Sequence, residues 1–127
     1  MIVIIGRKLT LMLRNTQRIG KHGQIDVHWS DFDGDYPIFE YRVADSKGKL
    51  ILQGQDSGAA LKMPDASKSM HSLVTDLLDA ADRWEPEAPG WLYDGYIPSA
   101  VAEWAHDARD DLVAVRDALV PIMAMEL

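Results

Sequence analysis

The sequence predicts an α+β fold, an antiparallel meander of about four N-terminal strands packed on one face by two C-terminal helices. Two observations carry this. Through the first half of the chain, apolar residues alternate with polar ones at a period of two, and turn residues separate the runs. After residue 62 the apolar spacing changes to three and four, the helical period. Each helix then has one apolar stripe and the sheet one apolar face, enough to close a single core. A chain of 127 residues, 47% hydrophobic and 26% charged, suits one domain with one core. The expected domain is residues 1–127, strand-rich over 1–62 and helical over 63–127.

A first strand is expected where Leu9, Leu11 and Leu13 alternate with Lys8, Thr10 and Met12. In "QIDVHWS", Ile25, Val27 and Trp29 alternate with Asp26, His28 and Ser30, and in "PIFEYRVA", Phe39, Tyr41 and Val43 alternate with Glu40, Arg42 and Ala44. "DSKGK" supplies a turn, with an aspartate at its start and a glycine for positive φ. "KLILQG" follows as a further strand.

Asp31, Asp33 and Asp35 fall between two of these strands and raise the question of a calcium loop. An EF-hand loop needs glycine at its sixth position and glutamate at its twelfth. Counted from Asp31, those positions are Tyr36 and Arg42, so the register fails. Asp33-Gly34-Asp35 reads as a turn closed by Pro37.

Asp65 can cap a helix on which Met70, Leu73, Val74, Leu77, Leu78, Ala81 and Trp84 share one face. "EPEAPGW" ends it, since Pro86, Pro89 and Gly90 cannot continue a helix. "WLYDGYIP" is a connecting loop rich in aromatics, and Pro98 suits the first turn of the next helix. Val101, Trp104, Ala108, Leu112, Val115, Leu119 and Ile122 then keep helical spacing, with a kink or stop expected near Pro121. Trp29, Trp84 and Trp104 lie on apolar faces and are expected in the core. Trp91, in the loop beside Tyr93 and Tyr96, either folds the loop onto the core or is an exposed anchor for a partner.

The chain has no cysteine, which removes disulfides, thiolate nucleophiles and thiolate zinc sites and suits a reducing compartment. The apolar start is short and ends at Gly6-Arg7-Lys8 without a small-residue cleavage site, against a signal peptide. No run approaches the roughly 18 apolar residues of a membrane helix. A cytoplasmic protein is expected. Charge is unevenly placed: residues 1–25 carry five bases and no acid, and residues 26–127 carry all 20 acids and eight bases. Either the basic strand pairs with an acidic body in the same fold, or the surface is dipolar and made for a charged partner.

Catalytic motifs are sparse. Asp56-Ser57-Gly58 matches a serine-protease string in three letters only, without a positioned histidine. His22, His28, His71 and His106 form no zinc spacing. His106 and Asp110, four apart, share a helix face as a solvated pair, and His28, beside Asp26 on the polar side of its strand, is expected to be exposed. Glycine-rich phosphate loops are absent from the sequence. The acidic body repels phosphate, so direct nucleic-acid binding is not expected. No catalytic residue, cofactor or metal is predicted.

The feature that stands out is a row of Glu103, Asp107, Asp110 and Asp117, opposite the apolar stripe of the last helix. Like charges at i,i+4 cost about 0.2–0.5 kcal/mol per pair. The row either keeps the protein soluble or docks a basic protein surface. With Trp91 and Tyr93 it makes up the candidate partner-binding set.

"FEYRVADSKGKLILQGQDSG", "LVTDLLDAAD" and "IPSAVAEWAHDARDDL", within residues 38–115, resemble a family of short uncharacterised proteins of actinobacteria and their phages. The most specific string is Val101-Ala102-Glu103-Trp104-Ala105 followed by Asp111-Leu112. The resemblance implies no activity. It implies a phage or mobile-element setting, which favours a small binding protein over an enzyme. The leading expectation is an acidic, non-catalytic interaction protein that binds or inhibits a basic surface of a host protein, such as a nucleic-acid-handling defence complex. A small-molecule-binding protein or minor enzyme with a pocket between sheet and helices, using His106, Asp110 or Ser57, is the second. A self-assembling structural protein, a homodimer through a sheet edge or the aromatic loop, is the third.

Overall fold

The computed structural model describes residues 12–57, 65–86 and 97–124. Four strands, β1 (Arg14–Arg18), β2 (Gly23–Asp33), β3 (Tyr36–Asp45) and β4 (Leu50–Ser57), form one antiparallel sheet in sequence order. Three helices follow, α1 (Ala66–Arg83), α2 (Ser99–Asp107) and α3 (Arg109–Met123). The meander and the strand-then-helix order are those the periodicity predicts.

The turns follow the chemistry of their residues. Gly34 takes φ 61° between Asp33 and Tyr36, while no non-glycine residue among the described residues has positive φ. A glycine with positive φ at the first central position of a two-residue hairpin is the mark of a type II′ turn. Pro37 lies inside β3, opposite Phe32, instead of closing the turn. At the next hairpin Asp45 Oδ1 accepts from the amides of Lys47 and Lys49, both at 2.9 Å, and Gly48 takes φ 79°.

The first strand is displaced from its expected place. Met12 and Leu13 are helical and β1 begins at Arg14; residues 8–11 lie outside the described residues. Hydrophobic alternation could not find β1, because its inward positions are polar. Asn15, 2% exposed, donates to Ser67 Oγ on α1 at 3.0 Å and accepts from Gln17 Nε2 at 2.7 Å. These bonds offset the cost of burying an amide.

Asp65 caps α1, accepting from the amides of Ser67 at 3.0 Å and Lys68 at 3.3 Å. Its buried residues run from Ala66 and Ser67 through Met70, Leu73, Val74, Leu77 and Leu78 to Ala80 and Ala81. At 100° per residue they cover about half of the helix circumference, wider than the roughly 100° stripe of a surface helix. The width follows from position: α1 contacts β1, β2 and β3 on one side and both α2 and α3 on the other. Ile25, Val27, Phe39, Tyr41, Val43 and Leu52 face it from the sheet.

The expected single last helix is two. Ala108, at φ −96° and ψ 12°, leaves helical geometry and separates α2 from α3. Pro98 caps α2 from one position before its first residue, its carbonyl accepting from Val101 and Ala102 at 3.0 Å. Pro121 sits within the last turn of α3, which ends two residues later. Trp29, Trp84 and Trp104, expected in the core, are half-buried at its margin. An indole N–H needs a partner, and Trp29 Nε1 donates to the Asp31 carbonyl at 2.7 Å and Trp104 Nε1 to the His22 carbonyl at 2.9 Å. The second bond ties α2 to the β1–β2 turn.

Candidate functional site

The acidic row is divided by the break at Ala108, with Glu103 and Asp107 on α2 and Asp110 and Asp117 on α3. All four side chains are exposed. They are so because Val101, Ala105, Leu112, Val115 and Leu119 hold the opposite sides of these helices against α1. Asp117 lies 3.5 Å from Arg116 Nε. Glu103, Asp107 and Asp110 form no ion pair among the described residues.

Of the arginines of the helical half, Arg116 reaches Asp117 of the row, and Arg83 and Arg109 are engaged outside it. Arg109 Nε donates to Asp82 on α1 at 2.8 Å, and this hydrogen bond, with the charges of Asp82 and Asp110, holds the guanidinium above its ordinary pKa. Arg83 Nη2 reaches Asp79 at 3.1 Å, one turn away. Of the N-terminal bases within the described residues, Arg14 pairs with Asp26 inside the sheet, and Arg18 and Lys21 form no ion pair among the described residues; Arg7 and Lys8 lie outside them. Trp91 and Tyr93, the other candidate partner-binding residues, lie outside the described residues.

His106 and Asp110 are not brought together; His106 stacks on Trp84, ring centroids 4.9 Å apart. The helix break between them removes the i,i+4 geometry that a continuous helix would give. Ser57, at the end of β4, is exposed. Among the described residues no group of three or more histidine, aspartate or glutamate side chains could hold a metal.

Two constellations escaped the sequence reading. The first lies on the sheet face away from α1. Asp26, 8% exposed, accepts from Arg14 Nε at 2.8 Å, Arg14 Nη2 at 3.2 Å and Thr16 Oγ1 at 2.5 Å. Burial acts to raise its pKa, but the Thr16 and Arg14 hydrogen bonds, the Arg14 charge and the His28 contact outweigh it, and the carboxyl is held below its ordinary value. His28, expected to be exposed, is half-buried: Nδ1 lies 3.3 Å from Asp26 and Nε2 3.1 Å from Glu40. Cross-strand register explains this, because Arg14 and Glu40 both stand opposite His28. The i,i+2 pair Asp26/His28 was a legible sign that the two share a face; Glu40 was not, since strand register is not written in either strand alone.

The second is a cleft of about 250 Å³ between β3, β4 and α1, lined by Tyr41, Gln55, Asp56, Ser69, Leu73 and Asp76, among others. Ser69 Oγ donates to Asp56 at 3.4 Å. Asp56 is raised above the ordinary carboxylate value, by burial of its carboxyl and then by the charge of Asp76, against the Ser69 hydrogen bond. Tyr41 is raised too, by burial and then by Asp56. Its ring lies over Gly54, where an added Cβ would stand 2.3 Å from the hydroxyl oxygen.

No protein-family model, curated protein or solved structure matches the chain. No helix among the described residues is long and apolar enough to cross a membrane.

Proposed function

We propose that this is a non-catalytic interaction protein whose helical half docks a basic surface of a protein partner. The observation that carries the reading is the exposure of Glu103, Asp107 and Asp110 without an ion pair among the described residues. A helix that serves only its own fold gains by alternating signs; here Arg83 and Arg109 bond to carboxylates outside the row, Arg116 reaches Asp117, and Glu103, Asp107 and Asp110 keep no ion pair among the described residues. Such a surface speeds encounter with an opposite field more than it deepens affinity. The resemblance to short phage and actinobacterial proteins supports a host protein as the partner, with a nucleic-acid-handling defence complex as one class that presents a basic surface.

The test is capture from host lysate on the wild-type protein and on a variant carrying Glu103→Gln, Asp107→Asn, Asp110→Asn and Asp117→Asn. A stoichiometric protein retained by the first and lost by the second is expected, with association that slows in the variant and loses salt sensitivity. Equal retention and equal salt slopes would reduce the row to a solubility device.

A second reading rests on the cleft at Tyr41, Asp56 and Asp76. Two carboxylates and several hydroxyl groups around about 250 Å³ suit a small organic cation, although drug-sized sites start at about 300 Å³. Native mass spectrometry of the purified protein distinguishes the two: a co-purifying small cation, lost in Asp56→Asn, favours this reading.

A further inference from the structure

We infer that β4 is a docking edge for a second copy of the chain, the two β4 strands pairing antiparallel about a two-fold axis at Gln53. β4 is the last strand of the sheet. It pairs with β3, and no other strand lies beside it among the described residues. An edge strand leaves the N–H and C=O groups of alternate residues without a strand partner, and another strand can add to them.

Folds blunt their edges with short strands, charge, proline or a bulge. The other edge, β1, is blunted: it has five residues and both ends are arginines, Arg14 and Arg18. β4 is more open. It runs for eight residues, Leu50–Ser57, with no proline and no charged residue before Asp56. The irregularity in its pairing lies at its start, where Val43 pairs with Leu52 and Ala44 with Leu50, so that Ile51 is the extra residue. From Leu52 to Ser57 the register is regular, and Gln53, Gln55, Asp56 and Ser57 are exposed. α1 lies over β1, β2 and β3 and touches β4 through the bond from Ser69 to Asp56, which leaves the outer side of the strand clear of it.

The occupant follows from the strand's own sequence. In an antiparallel pair, residues opposite each other share a face, so the axis between two copies falls on a residue. Gln53 and Gly54 are nearest the middle of β4. An axis at Gly54 would set Leu52 against the carboxylate of Asp56. An axis at Gln53 sets Leu52 of each copy against Gly54 of the other, over which the Tyr41 ring lies, and aliphatic and aromatic side chains stabilise each other across strands. The same axis brings Lys49, just before one strand, beside Asp56 near the end of the other, an opposite-charge pair made twice by the symmetry. A foreign strand has no such match of charge at both ends. Each copy carries a net charge of −7, which opposes association, so the dimer is weak and reversible. The contact uses none of Glu103, Asp107, Asp110 and Asp117, and it stands or falls separately from the proposed function.

The test uses the full chain. Sedimentation of the wild type between about 1 μM and 1 mM, the range of weak association, should show a reversible monomer–dimer equilibrium. Backbone amides of Leu52–Ser57 should exchange with deuterium more slowly at the high concentration than at the low one. Gln53→Lys sets like charges opposite each other and should weaken the dimer by roughly two- to fivefold, the range of one cross-strand pair. The chain has no cysteine, so Gln53→Cys introduces a single thiol at an exposed position. Opposed Cα atoms of an antiparallel pair stand about 4.5–5.5 Å apart, within reach of a disulfide. Mild oxidation should therefore turn Gln53→Cys into a covalent dimer and leave Arg18→Cys, on β1, a monomer. A wild type that stays monomeric throughout the range overturns the inference, as does cross-linking no greater at Gln53 than at Arg18. A dimer whose β4 amides exchange at the monomer's rate overturns it too. Protection of those amides only when a different protein co-purifies overturns it in favour of a foreign strand.

Discussion

Replacing Asp26 with asparagine tests the buried carboxylate on the open sheet face. The amide keeps the volume and one acceptor but loses the charge, and its NH₂ must face groups that now donate to a carboxylate: both Arg14 nitrogens and the Thr16 hydroxyl. A hydrogen bond to a charged group contributes about 1.5–3 kcal/mol. Arg14 is mostly exposed, 65% against 10% for the Asp26 side chain, and water competes for it, so the arginine share must be discounted. A loss of about 1–2 kcal/mol at pH 7 is the expected balance. The loss should depend on pH with a definite sign. The folded-state pKa of Asp26 lies below its unfolded value, so the unfolded chain takes up this proton first on acidification. The stabilisation is complete above the unfolded value, about 3.9, and disappears as pH falls through the lower folded value. Urea unfolding followed by tryptophan fluorescence at pH 7, 5, 4 and 3 should show the gap between wild type and Asp26→Asn constant at the first two values and shrinking below. A gap that widens on acidification, or a variant as stable as wild type at pH 7, would refute the account.

Asp56 should behave with the opposite sign. Its folded pKa is raised, so its charged form is disfavoured in the fold; Asp56→Asn should raise the urea midpoint at pH 7, and the gain should vanish as pH falls through the raised folded value toward the unfolded one. Gly54→Ala must displace the Tyr41 ring and should cost about 1–3 kcal/mol by overpacking, read as a lower denaturant midpoint. Trp104→Phe keeps the ring at the core margin but removes the donor to the His22 carbonyl, for a loss of about 0.5–1.5 kcal/mol in the same assay. Millimolar calcium should leave the melting temperature unchanged, because residues 31–35 form a hairpin end; a rise of several degrees would mean a binding site there.

How much of this was legible in the sequence depends on what kind of residue carried each feature. Hairpins at Gly34 and Gly48 were readable because only glycine takes their positive φ at little cost. The cap at Asp65 and the apolar stripe of α1 were readable because one local rule governs each. β1 was misplaced because its inward residues, buried Asn15 and half-buried Gln17, are polar: Asn15 bonds to Ser67, 52 residues away, and Gln17 to Asn15. The break at Ala108 has no glycine or proline to mark it. The bulge after Trp29 has no local signature either, and it decides which face Phe32 occupies. Of the candidate site, the exposure of the four acids was legible from the stripe opposite them, while the pairing of Arg109 with Asp82 required knowing that α3 packs beside α1.

That pairing bears on the charge asymmetry along the chain. If the basic N-terminal strand existed to neutralise an acidic body, its cations would meet helical carboxylates. Arg14 instead meets Asp26, twelve residues away on the neighbouring strand. Arg18 and Lys21 are exposed and form no ion pair among the described residues. The cross-element ion pair within the helical half, Arg109 to Asp82, uses a base from that half. Among the described residues these two arginine pairs are strand with strand and helix with helix, while His22 Nε2 in the β1–β2 turn lies 3.6 Å from Asp111 on α3. Glu103, Asp107 and Asp110 on the helices and Asp31, Asp33 and Asp35 at the β2–β3 hairpin form no ion pair among the described residues. An uncompensated field is a cost to the compact state and a gain in long-range attraction. On the proposed function, the field left at Glu103, Asp107 and Asp110 is what would draw in a cationic partner.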